Sequence, residues 1–93
     1  MKIVLKKRQT GATTDLVDWV NEDIKNRYIV THCSNAARML SERFDIPRSN
    51  VISCQAESSL SGLQCEIAYD EYQLFLRKSN EIDNRVKIIT ITV

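Results

Sequence analysis

Thr10-Gly11-Ala12-Thr13-Thr14 follows the apolar run Ile3-Val4-Leu5 and opens a helical pattern, an arrangement suited to holding an anion. A phosphate-binding loop needs a strand, a tight glycine turn, a helix N-terminus aimed at the anion, a lysine for the outer phosphates and a hydroxyl for magnesium. The apolar run, Gly11, the helix start and Thr13 supply most of these, but Ala12 stands where the lysine belongs. Lys6 likewise occupies the position of the first glycine in G-x-x-x-x-G-K-[ST]. Loss of one charge-assisted hydrogen bond to phosphate costs about 1.5–3 kcal/mol, or about 10- to 100-fold in affinity. Because that cation stabilises the transition state more than the ground state, hydrolysis is expected to suffer more than binding. Lys6, Lys7 and Arg8 adjoin the loop and are the candidate substitute cations.

The second constellation is the acidic pair Asp70-Glu71, which ends the apolar stretch Glu66-Ile67-Ala68-Tyr69. A carboxylate at the end of an apolar strand can hold magnesium through water, and its acidic neighbour can orient or deprotonate an attacking water. Asp70 suits the first role and Glu71 the second. The plainer reading is a helix N-terminus, where the macrodipole favours acids; for the Gly11 loop it is an ordinary strand-to-helix turn with threonine caps. Lys2-Lys6-Lys7-Arg8 could meet the phosphates of a nucleotide or a nucleic acid, although charge runs are usually solvated. Trp19 and Tyr28 are expected to pack rather than stack on a base, and His32 has no visible partner.

These residues are positioned by an alternation of strand-like and helix-like segments. Ile3 to Leu5 reads as a short buried strand. Thr13 or Thr14 can cap a helix that places Leu16, Val17, Val20 and Ile24 on one side, with Asp15 and Asp18 favourably in its first turns. Tyr28 to Thr31 is a second strand, and Ser34 caps a helix carrying Ala37, Met39, Leu40 and Phe44 that ends by Pro47. Val51 to Ser53 and Glu66 to Tyr69 are further strands, separated by a polar connection from Glu57 to Gly62. Tyr72 to Lys78 looks helical, and Val86 to Val93, β-branched nearly throughout, is the strongest strand signal. Strands separated by helices predict right-handed βαβ units, hence a three-layer αβα fold on a mostly parallel five-stranded sheet. Ligands of such sheets sit beyond the carboxyl ends of the strands, where both motifs fall.

Ninety-three residues fit one domain spanning 1–93, with about 60–70% of the unfolded chain's surface buried. Lys+Arg 13 against Asp+Glu 12 leaves a net charge of +1, so no global signature of nucleic-acid or membrane binding exists and any basic site is local. No apolar run approaches a membrane span, and the opening segment is too short for a secretory leader. Cys33, Cys54 and Cys65 lack any C-x-x-C spacing, which argues against both a disulfide framework and a zinc site with His32. A cytoplasmic protein with reduced thiols is the expectation.

Taken together, Gln9-Thr10-Gly11-Ala12-Thr13-Thr14 resembles a Walker A motif and Ile67-Ala68-Tyr69-Asp70-Glu71 a Walker B motif, so nearly the whole chain is similar to a P-loop NTPase core. Asp70-Glu71-Tyr72-Gln73 also resembles the DExQ box of superfamily-one helicases, and small phage or viral ATPase-like proteins have related layouts. The resemblance implies ATP or another nucleoside triphosphate held with Mg2+, the metal bound by Thr13 and supported by Asp70, Glu71 as the catalytic base, and a phosphate pocket built from Thr10 to Thr14. It also implies that Lys87 to Val93 forms a strand lying between the Walker A and Walker B strands. With Ala12 in place of lysine, the expected activity is nucleotide binding with weak or lost hydrolysis. The alternative is a P-loop-fold interaction protein without catalysis that docks on a larger ATPase or on nucleic acid.

Overall fold

The apolar runs become the strands β1 (Lys2–Lys6), β2 (Arg27–Thr31), β3 (Val51–Ser53), β4 (Glu66–Tyr69) and β5 (Val86–Thr92), joined in part by the helices α1 (Ala12–Glu22) and α2 (Ser34–Phe44). Short 3-10 helices cover Arg48–Asn50, Cys54–Leu60 and Tyr72–Leu74. This computed structural model describes residues 2–6, 12–60, 62–75 and 84–92, with the side chains of Lys6, Ala12, Thr13 and Thr92 outside that description.

The five strands form one parallel sheet in the order β1-β5-β4-β2-β3. Parallel crossovers keep one hand, so connections that run in opposite directions across a sheet cover opposite faces. The paths from β1 to β2 and from β2 to β3 run one way, and α1 and α2 share a face: Leu16, Val17, Val20, Ala37 and Leu40 pack on Ile29, Val51 and Ala68. The paths from β3 to β4 and from β4 to β5 run the other way. Leu60 and Phe75 accordingly pack on the opposite face, against Val30, Ile67, Tyr69, Val86 and Ile89. The α/β class and the mostly parallel five-stranded sheet therefore hold, with helices layered on a sheet whose centre is apolar on both sides.

Local devices mark the ends of the elements. Asp45 takes up a left-handed conformation (φ 55°, ψ 46°) and stops α2, its N–H donating to the Ser41 carbonyl together with that of Ile46. The buried Asn50 donates its side-chain amide to the carbonyls of Ile24 (2.7 Å) and Arg27 (2.9 Å), pinning the turn after α1. Arg27 stacks over the Trp19 ring at 4.7 Å and pairs with Glu66 and Glu22 at 3.0 and 3.1 Å. Its pKa is raised, chiefly by the hydrogen bond to Glu66, so it remains a cation across the working pH range.

Four expectations are revised. Ile3 and Leu5 are 56% and 65% exposed rather than buried. Beside β1 they share the face of Ile89 and Ile91, and no connection among the described residues crosses that face over β1. The helix expected from Tyr72 to Lys78 is a 3-10 turn that ends at Phe75, whose backbone is extended; residues 76–78 lie outside the description. Here the aromatic side chains decide: Tyr72 and Phe75 both turn onto Tyr69, with ring centroids 5.4 and 5.0 Å away. Finally, Cys33 rather than Ser34 occupies the cap of α2, and α1 begins at Ala12, so Thr13 and Thr14 lie inside its first turn.

Candidate functional site

Because every strand points the same way, the carboxyl ends of β1 and β4 share one end of the sheet. β5 lies between them, which sets the two ends about 10 Å apart, two strand spacings. The site is described best on the β4 side. Side chains alternate along β4: Ile67 and Tyr69 face the 3-10 segments, Ala68 faces the helices, and Asp70 continues the alternation towards the helices. Asp70 therefore lies on the face that carries α1, and it is 9% exposed.

Hydrogen bonds from both neighbouring strands hold the acidic pair. The Asp70 N–H donates to the Val30 carbonyl at 3.0 Å, extending the pairing of β4 with β2 by one residue. The Glu71 N–H donates to Thr90 Oγ1 at 2.9 Å, and the Thr90 hydroxyl donates to Asp70 Oδ1 at 2.9 Å. Glu71 itself adopts the left-handed conformation (φ 54°, ψ 56°), which costs a residue with a β-carbon about 1–2 kcal/mol. Strain of this kind persists where the surroundings over-determine the backbone. Thr90, wholly buried, is part of that determination.

The direction of the connections changes between β4, whose path leads to β5, and the adjacent β2, whose path leads to β3. Such a switch point opens a crevice at the carboxyl ends of the strands. A cavity of about 500 Å3 occurs there, between α2 and the end of β4, lined by Ala36, Met39, Leu40, Glu42, Arg43, Phe44, Asp70 and Glu71. Its wall is mainly apolar, with Met39 58% exposed and the Arg43 guanidinium 5.3 Å over the Phe44 ring. Its floor is acidic.

The other half of the expected site is described only in part. Lys7, Arg8, Thr10 and Gly11 lie outside the described residues, as do the side chains of Lys6, Ala12 and Thr13. Their backbones place Lys6 as the last residue of β1 and Ala12 and Thr13 as the first of α1. Thr14 is exposed in the first turn of α1, followed by exposed Asp15. An aspartate there already complements part of the helix dipole, which weakens the attraction of that terminus for an anion. Trp19 and Tyr28 are half-buried packing residues.

Sequence reasoning missed Thr90 and the α2 wall of the cavity. The threonine carries no motif, and its meeting with Asp70 depends on the register that pairs Tyr69 with Ile89. Cys33, Cys54 and Cys65 are free thiols, and the Cys54 thiol donates to the His32 carbonyl. No described helix is long and apolar enough to cross a membrane. Comparison with protein families, curated proteins and solved structures finds no match to this chain.

Proposed function

We propose that the protein binds a nucleoside triphosphate with magnesium at the carboxyl end of its sheet, between the loop preceding α1 and the Asp70-Glu71 pair. The observation that carries this reading is the hydrogen-bonded acidic pair at the end of β4, on the face that holds α1 and one strand removed from β1. The donor set suits the metal. Magnesium takes one or two carboxylates and completes its octahedron with water and phosphate oxygens. Among the described residues no group of three or more His, Cys, Asp or Glu side chains could cage an ion alone, and Asp70 supplies a hard oxygen beside Glu71. In this reading Asp70 supports the metal together with Thr13, Glu71 orients the attacking water, and the loop from Thr10 to Thr14 receives the phosphates. Lys6, Lys7 or Arg8 replaces the cation that Ala12 lacks. Hydrolysis is slow or absent, because a displaced cation stabilises the developing charge less well.

Calorimetric titration with a magnesium–ATP analogue is the test. Binding in the micromolar to millimolar range is expected, and no heat at millimolar nucleotide overturns the proposal. Ala12→Lys should tighten binding by up to about 10- to 100-fold, less where Lys6, Lys7 or Arg8 already supplies the cation; affinity and turnover both left at background would mean that the loop is no functional phosphate site. A second reading, a non-catalytic docking protein that engages a larger ATPase or nucleic acid, is favoured by the exposure of Ile3 and Leu5 along β1. It predicts a stable complex recovered from cells and indifference to nucleotide.

A further inference from the structure

The geometry points to Thr90 as a positioning residue that sets both carboxylates of the site through a single hydroxyl; this inference rests on the nucleotide reading above. A threonine hydroxyl has one proton to give and lone pairs to receive with. The Glu71 N–H, 2.9 Å from Thr90 Oγ1, can only donate, so Thr90 accepts there. The remaining Thr90 proton is directed to Asp70 Oδ1, also 2.9 Å away. This polarity requires Oδ1 to be an acceptor and turns the Asp70 carboxylate to a fixed angle. On the other side of the same oxygen, the bond from Glu71 helps to hold its backbone in the left-handed conformation (φ 54°), from which its side chain departs.

Burial makes the device hard to replace. Thr90 is 0% exposed and Asp70 9%, so water cannot readily take over from a missing hydroxyl. β5 contributes this group and also pairs Thr90 with Val4 of β1. The residue that aligns the acidic pair thus sits on the strand that separates the pair from the opposite half of the site. Thr90 contacts neither nucleotide nor metal in this scheme; it acts through Asp70 and Glu71.

The test compares the full-length wild type with Thr90→Ser, Thr90→Val and Thr90→Cys, using Mn2+ with a non-hydrolysable ATP analogue as probe. Water-proton relaxation reports Mn2+ affinity, and amide hydrogen exchange reports protection of the Glu71 N–H. Serine keeps both hydrogen bonds and should stay within about 3-fold of wild type in both readouts. Valine keeps the shape and loses both bonds, so Mn2+ affinity should fall about 10- to 100-fold while the Glu71 amide exchanges at least about 10-fold faster than in wild type. Cysteine, a weaker donor and acceptor, should fall between them, and it carries the comparison if the valine protein does not fold. If wild type and Thr90→Val bind Mn2+–nucleotide equally, the positioning role is overturned and the nucleotide reading stands. A loss as large in Thr90→Ser as in Thr90→Val also overturns it, since the hydroxyl would not be the active feature. If the wild type binds no Mn2+–nucleotide at all, the nucleotide reading falls and takes the role of Thr90 with it.

Discussion

Strands β1 and β4 begin from similar material and end in opposite environments. Ile3-Val4-Leu5 and Ile67-Ala68-Tyr69 are both short apolar runs leading into a polar motif, yet Ile67, Ala68 and Tyr69 are at most 1% exposed while Ile3 and Leu5 stand largely in solvent. The difference lies in position within the sheet. β4 has β5 and β2 as neighbours, and chain covers it on both faces. β1 has β5 alone among the described strands, and no described residue covers its Ile3 and Leu5 face enough to bury it. The Asp70-Glu71 pair thus stands at the end of a strand held on both sides, whereas β1 is an edge among the described strands.

Removing the Tyr69 ring should have the largest effect. Tyr69→Ala empties a wholly buried position, ends the stacking with Tyr72 and Phe75, and removes a hydroxyl 3.0 Å from Glu57 Oε2. Urea denaturation should show a loss of about 3–5 kcal/mol, against less than about 0.5 kcal/mol for Leu5→Ala. Similar losses for the two would break the comparison. Next in size, Asp70→Ala deprives the buried Thr90 hydroxyl of its acceptor and should cost about 1–3 kcal/mol in the same assay. A neutral result would mean that the end of β4 is no better anchored than that of β1. Smaller and opposite in sign, Glu71→Gly relieves the left-handed backbone and should stabilise the fold by up to about 1 kcal/mol while abolishing any hydrolysis; destabilisation would show that the conformation is not strained. Smallest of all, Leu5→Lys should leave the melting temperature nearly unchanged and reduce self-association in light scattering at high protein concentration.

Much of this architecture was legible in the sequence, because strands and helices announce themselves through local periodicity. Glu66 to Tyr69 and Val51 to Ser53 fall where the short apolar runs put them, and Leu16, Val17 and Val20 face the core as their spacing requires. Placement of the last strand between β1 and β4 agrees with what the resemblance implied. What escaped was non-local. Nothing in Ile3-Val4-Leu5 distinguishes an edge from a centre, since that depends on which connections pass over it. The turn after Glu71 is shortened by rings that must reach Tyr69, a demand no helical propensity contains. Thr90 is one threonine in a run of β-branched residues until the register brings it beside Asp70. The acidic pair could be named from sequence; the hydroxyl that holds it could not.

The insertion of β5 between β1 and β4 also has a consequence for the order in which the molecule assembles. β2, β3 and β4 can pair with one another from a contiguous stretch of chain, whereas β1 finds its only described partner in β5, more than eighty positions away along the polypeptide. Closing so long a loop is slow, and sheets built from distant parallel pairs are kinetically late. β1, which precedes β5 by most of the chain, is thus the last of these strands to dock, and the apolar Ile3-Val4-Leu5 run remains an open template for wrong partners until then. Its flanking lysines, Lys2 and Lys6, act as gatekeepers through that interval. The carboxyl ends of β1 and β4 come to share one end of the sheet only at that late step.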